Sequence, residues 1–156
     1  MGGDFDHRWT QTREAIEVMK LLWTEDEAEY HGRYFDFPPV RSYPKPAQKP
    51  HPPILLGGMA RNVLRRVVAH ADGWLPNRIT PAQVEDSRAR LDAMAAEAGR
   101  DPASLTISVY GQDPNRDLVQ SFLNAGANRV VVRPEHCDTE EEMGNQLERM
   151  AEAVIR

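Results

Sequence analysis

Three patterns of apolar and polar positions follow one another along the chain. From Asp6 to Trp23, apolar Trp9, Ile16, Met19, Leu22 and Trp23 recur at helical spacing, with Arg13, Glu14, Glu17 and Lys20 between them. This predicts one amphipathic helix. The stretch "EAEYHGRYFDF" sets two aromatic, strand-like runs on either side of His31-Gly32-Arg33, the pattern of a small hairpin. Between Pro38 and Pro53 the periodicity stops, and seven of the twelve prolines fall there. Proline fixes φ and lacks an amide donor, so this stretch predicts an extended connector rather than a helix or a central strand.

Beyond the connector the pattern becomes regular. Ile54 to Leu56 is a short apolar strand, followed from about Ala60 to His70 by a helix with Val63, Leu64, Val67 and Val68 on one face. Gly73 to Leu75 is a second strand, and Thr80-Pro81 supplies an N-cap and a preset first residue for a helix ending at Gly99. "LTISVYG" alternates as a strand and "RDLVQSFLNAG" follows as a helix closed by Gly126. "NRVVVRP" is a fourth strand. "TEEEMGNQLERMAEAVI" opens with a Thr139/Glu142 capping box and turns Met143, Leu147, Met150 and Val154 inward. Strands alternating with helices imply parallel pairing, because each crossover helix returns the chain to the same end of the sheet. Four such βα units form either a small open α/β sheet with helices on both faces, or half of an eight-stranded barrel, which takes ~250 residues when complete. A helix and a hairpin are too little for a separate core, so residues 1–156 are expected to form a single domain: 1–53 the helix, hairpin and Pro-rich connector, and 54–156 the four βα units.

Composition narrows the function classes. With 40% hydrophobic and 28% charged residues, the chain reads as a soluble globule with no apolar run long enough to cross a bilayer. A net charge of -5 gives no overall basic field for nucleic acid, so an anionic small molecule needs a local site. The single cysteine, Cys137, excludes an internal disulfide framework. The opening "MGGDFDHRW" lacks the charged, apolar and cleavage regions of a secretory signal, which makes the cytoplasm the expected location.

The strongest chemical signal is the Gly57-Gly58 pair, which falls where the first strand turns into its helix. Glycine permits positive φ and close approach of a bulky anion, and a helix start offers unpaired N–H groups with a partial positive charge. A phosphate fits that description, with Arg61 and Arg65 available for charge-assisted hydrogen bonds. The plainer reading is a tight turn with no ligand. Trp74 reads more simply as core, and His70 as a helix cap. After the fourth strand, "RPEHCDTEEE" puts Arg133, Glu135, His136 and Cys137 on a loop expected at the same end of the sheet as Gly57 and Asp72. A Cys-His nucleophile is disfavoured because sequence neighbours seldom face each other and no third, orienting group is evident. Asp138 next to His136 and Cys137 lacks metal-ligand spacing, so no metal is expected. Glu140, Glu141 and Glu142 suit a helix N-terminus, each stabilising by roughly 0.3 to 1 kcal/mol.

The string "RWTQTREAIEVMKLLWTEDEAEYHGRYFDFPPV", then "PKPAQKPHPPILLGG", then "ADGWLPN" resembles the C-terminal half of the luciferase-like monooxygenase family, flavin- or deazaflavin-dependent TIM-barrel oxidoreductases. The resemblance runs from Phe5 to about Ile155, and the ordered combination is more specific than any one piece. It implies half of a (βα)8 barrel, and FMN or the deazaflavin coenzyme F-420 as cofactor. It implies that Ile54 to Gly58 corresponds to the fifth barrel strand, whose end holds the cofactor phosphate at Gly57, Gly58, Met59, Ala60 and Arg61. Asp72, Gly73 and Trp74 match the sixth strand and are implied cofactor neighbours, and Pro76, Asn77 and Arg78 lie on the substrate side of its mouth.

Nothing in the sequence resembles the family's first four strands, which supply most of the ring pocket and the acid/base groups. The catalytic residues are therefore unknown, and the chain is expected to be inactive alone, as a truncated product, an expressed segment or one piece of a split enzyme. A half-barrel exposes unpaired strand edges and an apolar inner face. It is expected to form a homo-oligomer or to be complemented by an N-terminal half. The alternative is a non-catalytic association module that pairs with itself or with a full-length relative.

Overall fold

The computed structural model describes residues 5–155, so the first four residues of the opening stretch lie outside it. The chain divides into two compact units, one running to Ile54 and the other starting at Leu55.

In the first unit, helix α1 (Arg8–Thr24) is followed by strands β1 (Ala28–His31) and β2 (Asp36–Val40), paired antiparallel. The predicted helix and hairpin are both present. Pro38 and Pro39 lie within β2, in a two-stranded sheet where every strand is an edge and a missing amide is tolerated. The ladder pays for them with a shift: Tyr30 pairs with Phe37 but Ala28 with Val40, one extra residue on the proline side. Glu14, read from sequence as part of the polar face, is instead buried. Its carboxylate accepts the backbone N–H groups of Tyr34 (2.8 Å), Arg33 (3.3 Å) and Phe35 (3.4 Å) from the hairpin turn. These bonds, led by that from Tyr34, hold its pKa below the ordinary carboxylate value. Gly32 leaves the room this requires, since a Cβ there would come within 2.9 Å of the Glu14 carboxyl carbon. Further out on α1, Glu17 accepts the Tyr30 phenol at 2.6 Å and pushes its pKa up to about 12. Lys45 in the connector donates to the carbonyls of Leu22 (2.9 Å) and Glu25, closing the C-terminus of α1.

The second unit follows the predicted alternation: β3 (Leu55–Gly57), α2 (Val63–His70), β4 (Gly73–Leu75), α3 (Pro81–Glu97), β5 (Thr106–Gln112), α4 (Arg116–Asn124), β6 (Arg129–Val132) and α5 (Glu140–Val154). All pairings are parallel and the spatial order is β3-β4-β5-β6. Every crossover therefore advances in one direction. Because crossovers are right-handed, the helices collect on one face of the sheet. That distinguishes a barrel segment from a doubly wound sheet, in which the order reverses. The core lies between sheet and helices: Trp74, Ile107 and Val109 from the strands meet Leu64, Val67, Val84, Leu91 and Phe122 from the helices.

The predicted N-cap at Thr80 and capping box at Thr139/Glu142 are both formed, and Gln83 completes a capping box at Thr80 as well. Two local expectations fail. Helix α2 begins at Val63 rather than near Ala60, because residues 58–62 are spent in a turn in which Ala60 O accepts from Val63 N at 2.8 Å. Helix α5 buries none of its residues, and Leu147, expected to face inward, is 52% exposed.

Candidate functional site

The strands being parallel, their C-terminal tips share one end of the sheet, and the residues just beyond them define a common rim. At β3 this is the Gly57-Gly58 corner. Gly58 has φ +93, a conformation side chains rarely adopt, and a Cβ on it would meet nothing within 4 Å. One on Gly57 would meet only the Leu75 carbonyl, at 3.8 Å. Residues Gly57, Gly58, Met59, Ala60 and Arg61 are all exposed. Asn62, the N-cap of α2, makes no side-chain cap hydrogen bond, so the first N–H groups of α2 lack the usual side-chain acceptor.

The corner is held from below. Trp74, 2% exposed in β4, donates its indole Nε1–H to Gly58 O at 2.8 Å, and Gly58 N donates to Leu75 O at 3.3 Å. The glycine pair is thus pinned on both sides of the Gly58 residue by the neighbouring strand. One amide of the pair is committed to Leu75 and Val63 N, the first of α2, to Ala60 O, so the donors facing a ligand would be those of the turn between them.

Not all the residues grouped on sequence grounds meet here. Asp72 and Gly73 lie at the N-terminal end of β4, the opposite end from the corner. Asp72 forms an ion pair with Arg100 at 3.5 Å, and its carbonyl accepts from Thr106 N at 3.0 Å. Arg100 also donates to the Ala71 (2.7 Å) and Val68 (3.0 Å) carbonyls, so Asp72 helps to orient a side chain that caps α2. Gly73 is needed for packing: a Cβ would come within 2.6 Å of Thr106 O. Trp74 is core, acting on the corner through its N–H. Pro76 is fully buried, with its carbonyl accepting from Tyr110 N at 2.9 Å. Asn77 and Arg78 are exposed on the rim, and Arg78 holds φ 48, a left-handed conformation unusual for a side-chain-bearing residue.

The rim also includes residues that sequence reading left unremarked. Tyr110, 47% exposed at the end of β5, bridges to Asn77 in parallel register. The β5–β6 ladder then shifts between Tyr110 and Gln112, where Gly111 has φ +77. A Tyr-Gly pair ending an alternating run was the available signal for such a bulge, which re-aims side chains at a strand tip.

Arg133 and Glu135 line an open cleft of about 570 Å³ at this same end, with Asp113, Gln146, Arg149 and Met150. His136 faces Asp138 at 3.3 Å and is 90% exposed, while the Cys137 thiol lies 3.9 Å from Met143 Sδ. Cys137 and His136 thus have separate partners. Among the described residues no three or more His, Cys, Asp or Glu side chains gather as a metal site, and no helix is long and apolar enough to cross a membrane.

Comparison with known proteins agrees with this architecture. An uncharacterized protein of Mycobacterium tuberculosis is 42% identical over 131 residues, covering 80% of this chain and 43% of that protein. The FMNH2-dependent dimethylsulfone monooxygenase of Pseudomonas putida is 30% identical over 106 residues, covering 68% of this chain and 28% of the enzyme. Among solved structures, an F-420-dependent secondary alcohol dehydrogenase in complex with an F-420–acetone adduct superposes with TM-score 0.58 at 20% identity, over 99% of this chain and 56% of the other. Flavin and deazaflavin dependence thus both occur among relatives, whose TIM-barrel fold this chain covers in part. The chain spans less than half the length of these two curated relatives. The profile of luciferase-like monooxygenases matches residues 1–112, and the chain belongs to that family.

Proposed function

We propose that this chain is the C-terminal portion of a luciferase-like oxidoreductase dependent on FMN or coenzyme F-420, and that the Gly57-Gly58 corner holds the cofactor phosphate. The observation carrying this reading is the corner itself: open to solvent above both glycines, pinned by Trp74 below, and leading into a helix start without a side-chain cap. Met59, Ala60 and Arg61 supply the adjoining backbone and one guanidinium. Asn77 and Arg78 face a small-molecule substrate from the next strand tip, with Tyr110 beside them. When bound, the cofactor supplies the redox chemistry, and the protein's part is to hold and orient it. No residue of this chain is assigned as general acid or base.

Activity then requires the remaining barrel strands, supplied by an N-terminal half or by association with another barrel chain. Both units belong on this reading to one barrel domain, working in the cytoplasm. The test is reconstitution with a polypeptide carrying four further βα units of a relative. Cofactor-dependent turnover is expected only in the mixture, and Gly58→Val should lower it. Turnover by the chain alone would contradict the reading, as would a mixture indifferent to Gly58→Val.

A second reading, a non-catalytic association module, has its own observation: β3 and β6 each pair on one side only, and α5 exposes Leu147 beside partly covered Met143 and Met150. Saturable binding of FMN or coenzyme F-420 at micromolar concentration favours the enzyme reading. Firm self-association in sedimentation equilibrium without any such binding favours the module.

A further inference from the structure

The four parallel strands of the second unit turn one face to the helices and the other away from them. Leu56, Trp74, Ile107, Val109 and Val130 pack into the helix-side core. Strand alternation therefore puts Leu55, Leu75, Ser108, Tyr110, Arg129 and Val131 on the opposite face, which in a barrel is the packed interior. Among the described residues Arg129 is the one charged residue in these four strands, and it stands beside Ser108 in the β5–β6 ladder. It is exposed, and among the described residues it has no ion pair. Because β6 is an edge strand, Arg129 lies where the next strand has to dock.

A charge in this position decides what can complete the sheet. The interior of an eight-stranded barrel is just wide enough for its side chains to fill, so closure takes the Arg129 guanidinium out of water. That is costly unless a carboxylate meets it. Strands β3 to β6 contain no Asp or Glu to do so. A second copy of this chain, closing the barrel with β6 of each copy against β3 of the other, brings a second Arg129 into the same interior and still no acid. An inward-pointing charge on an edge strand blocks edge-to-edge pairing. Here it acts against self-closure and leaves the edge open to a strand of opposite charge, the combination of attraction and exclusion by which a surface selects its partner. The rest of the face suits a barrel interior: Leu55, Leu75 and Val131 are partly covered, and Ser108 is 3% exposed.

We propose that this face takes a four-stranded βα half-barrel of different sequence, not a second copy of this chain, and that the partner carries an inward-facing Asp or Glu which pairs with Arg129 across the β6 edge. This pairing rests on the reading of the chain as a barrel portion, and it selects one of the two ways of completing that barrel. Arg129 thereby sets partner choice from the edge strand opposite to the one that carries the glycine corner.

The experiment is sedimentation equilibrium at micromolar concentration on the unaltered chain and on Arg129→Leu, Arg129→Glu and Arg129→Lys, each with and without the polypeptide carrying four βα units of a relative. Since Arg129 is exposed in the chain alone, each variant should keep the unaltered urea midpoint, which separates loss of binding from loss of folding. Alone, the unaltered chain is expected to stay monomeric, and Arg129→Leu to self-associate at least about tenfold more tightly. With the polypeptide, Arg129→Glu is expected to weaken the complex about 100-fold or more, the effect of burying a charge without its partner, and Arg129→Lys far less. Changing the polypeptide's inward-facing Asp and Glu residues singly to Lys should find one position that restores binding to Arg129→Glu and weakens binding to the unaltered chain. A complex indifferent to Arg129→Glu, the lack of any rescuing position, or an unaltered chain that dimerises as tightly as Arg129→Leu overturns the proposal. Pairing that depends on Arg129 without cofactor-dependent turnover sustains it and removes the enzyme reading; turnover in a complex indifferent to Arg129 does the reverse.

Discussion

Replacing Trp74 by Phe tests how the glycine corner is held. The indole is 2% exposed and its Nε1–H reaches Gly58 O at 2.8 Å. Phenylalanine keeps an aromatic ring in the core but deletes the donor and the second ring. Loss of the hydrogen bond costs about 1 kcal/mol, and the space left by the second ring about 1–2 kcal/mol more, because a close-packed core relaxes only in part. Together these give roughly 2–3 kcal/mol. For a chain of this size each kcal/mol moves the midpoint by about 2–4 °C, so the variant should melt roughly 5–10 °C lower. Urea unfolding followed by far-UV circular dichroism measures this without relying on the deleted fluorophore. The amide resonances of Gly58 and Met59 should broaden or move, reporting a loosened turn. A loss of less than about 0.5 kcal/mol with those resonances unmoved would refute the pinning role, since a surface substitution makes a change of that size.

Gly73→Ala should destabilise by about 3 kcal/mol, the upper part of the overpacking range, because its Cβ meets strand backbone; urea unfolding checks it. Gly58→Ala should cost about 1–2 kcal/mol through its positive φ alone, with no steric component. Asp72→Asn should lower stability while leaving FMN affinity unchanged in a fluorescence titration, because Asp72 serves Arg100 at the far end of β4; a loss of affinity would return it to the site. Glu14 has a folded pKa below its unfolded value, so its stabilisation is fully present above the unfolded pKa near 4.5 and is lost as pH falls through the folded one. Acid should release the hairpin turn of the first unit, visible as faster amide exchange at Arg33, Tyr34 and Phe35, and Glu14→Gln should remove that pH dependence.

Much of the fold was legible because its determinants are local. The N-cap at Thr80, the capping box at Thr139, the closing Gly126 and the apolar runs of the strands each act within a few residues, and the elements they mark are present to within a residue or so. The choice between an open sheet and a barrel depends on strand order, which alternation leaves open. Here the family resemblance went further than periodicity. The site was legible in part, and for a physical reason. "ADGWLPN" reads as one motif, but a strand separates its ends, so Asp72 falls at one end of the sheet and Asn77 at the other. The buried role of Glu14 was hidden because its partners are backbone amides about twenty residues away, which no side-chain pattern records.

The most direct test of the phosphate corner is a ¹H–¹⁵N NMR titration of the chain with FMN, and again with coenzyme F-420. The account predicts saturable shifts concentrated in the amides of Met59, Ala60, Arg61 and Asn62. Shifts confined to the cleft around Arg133 and Gln146, or none anywhere up to millimolar cofactor, would contradict it.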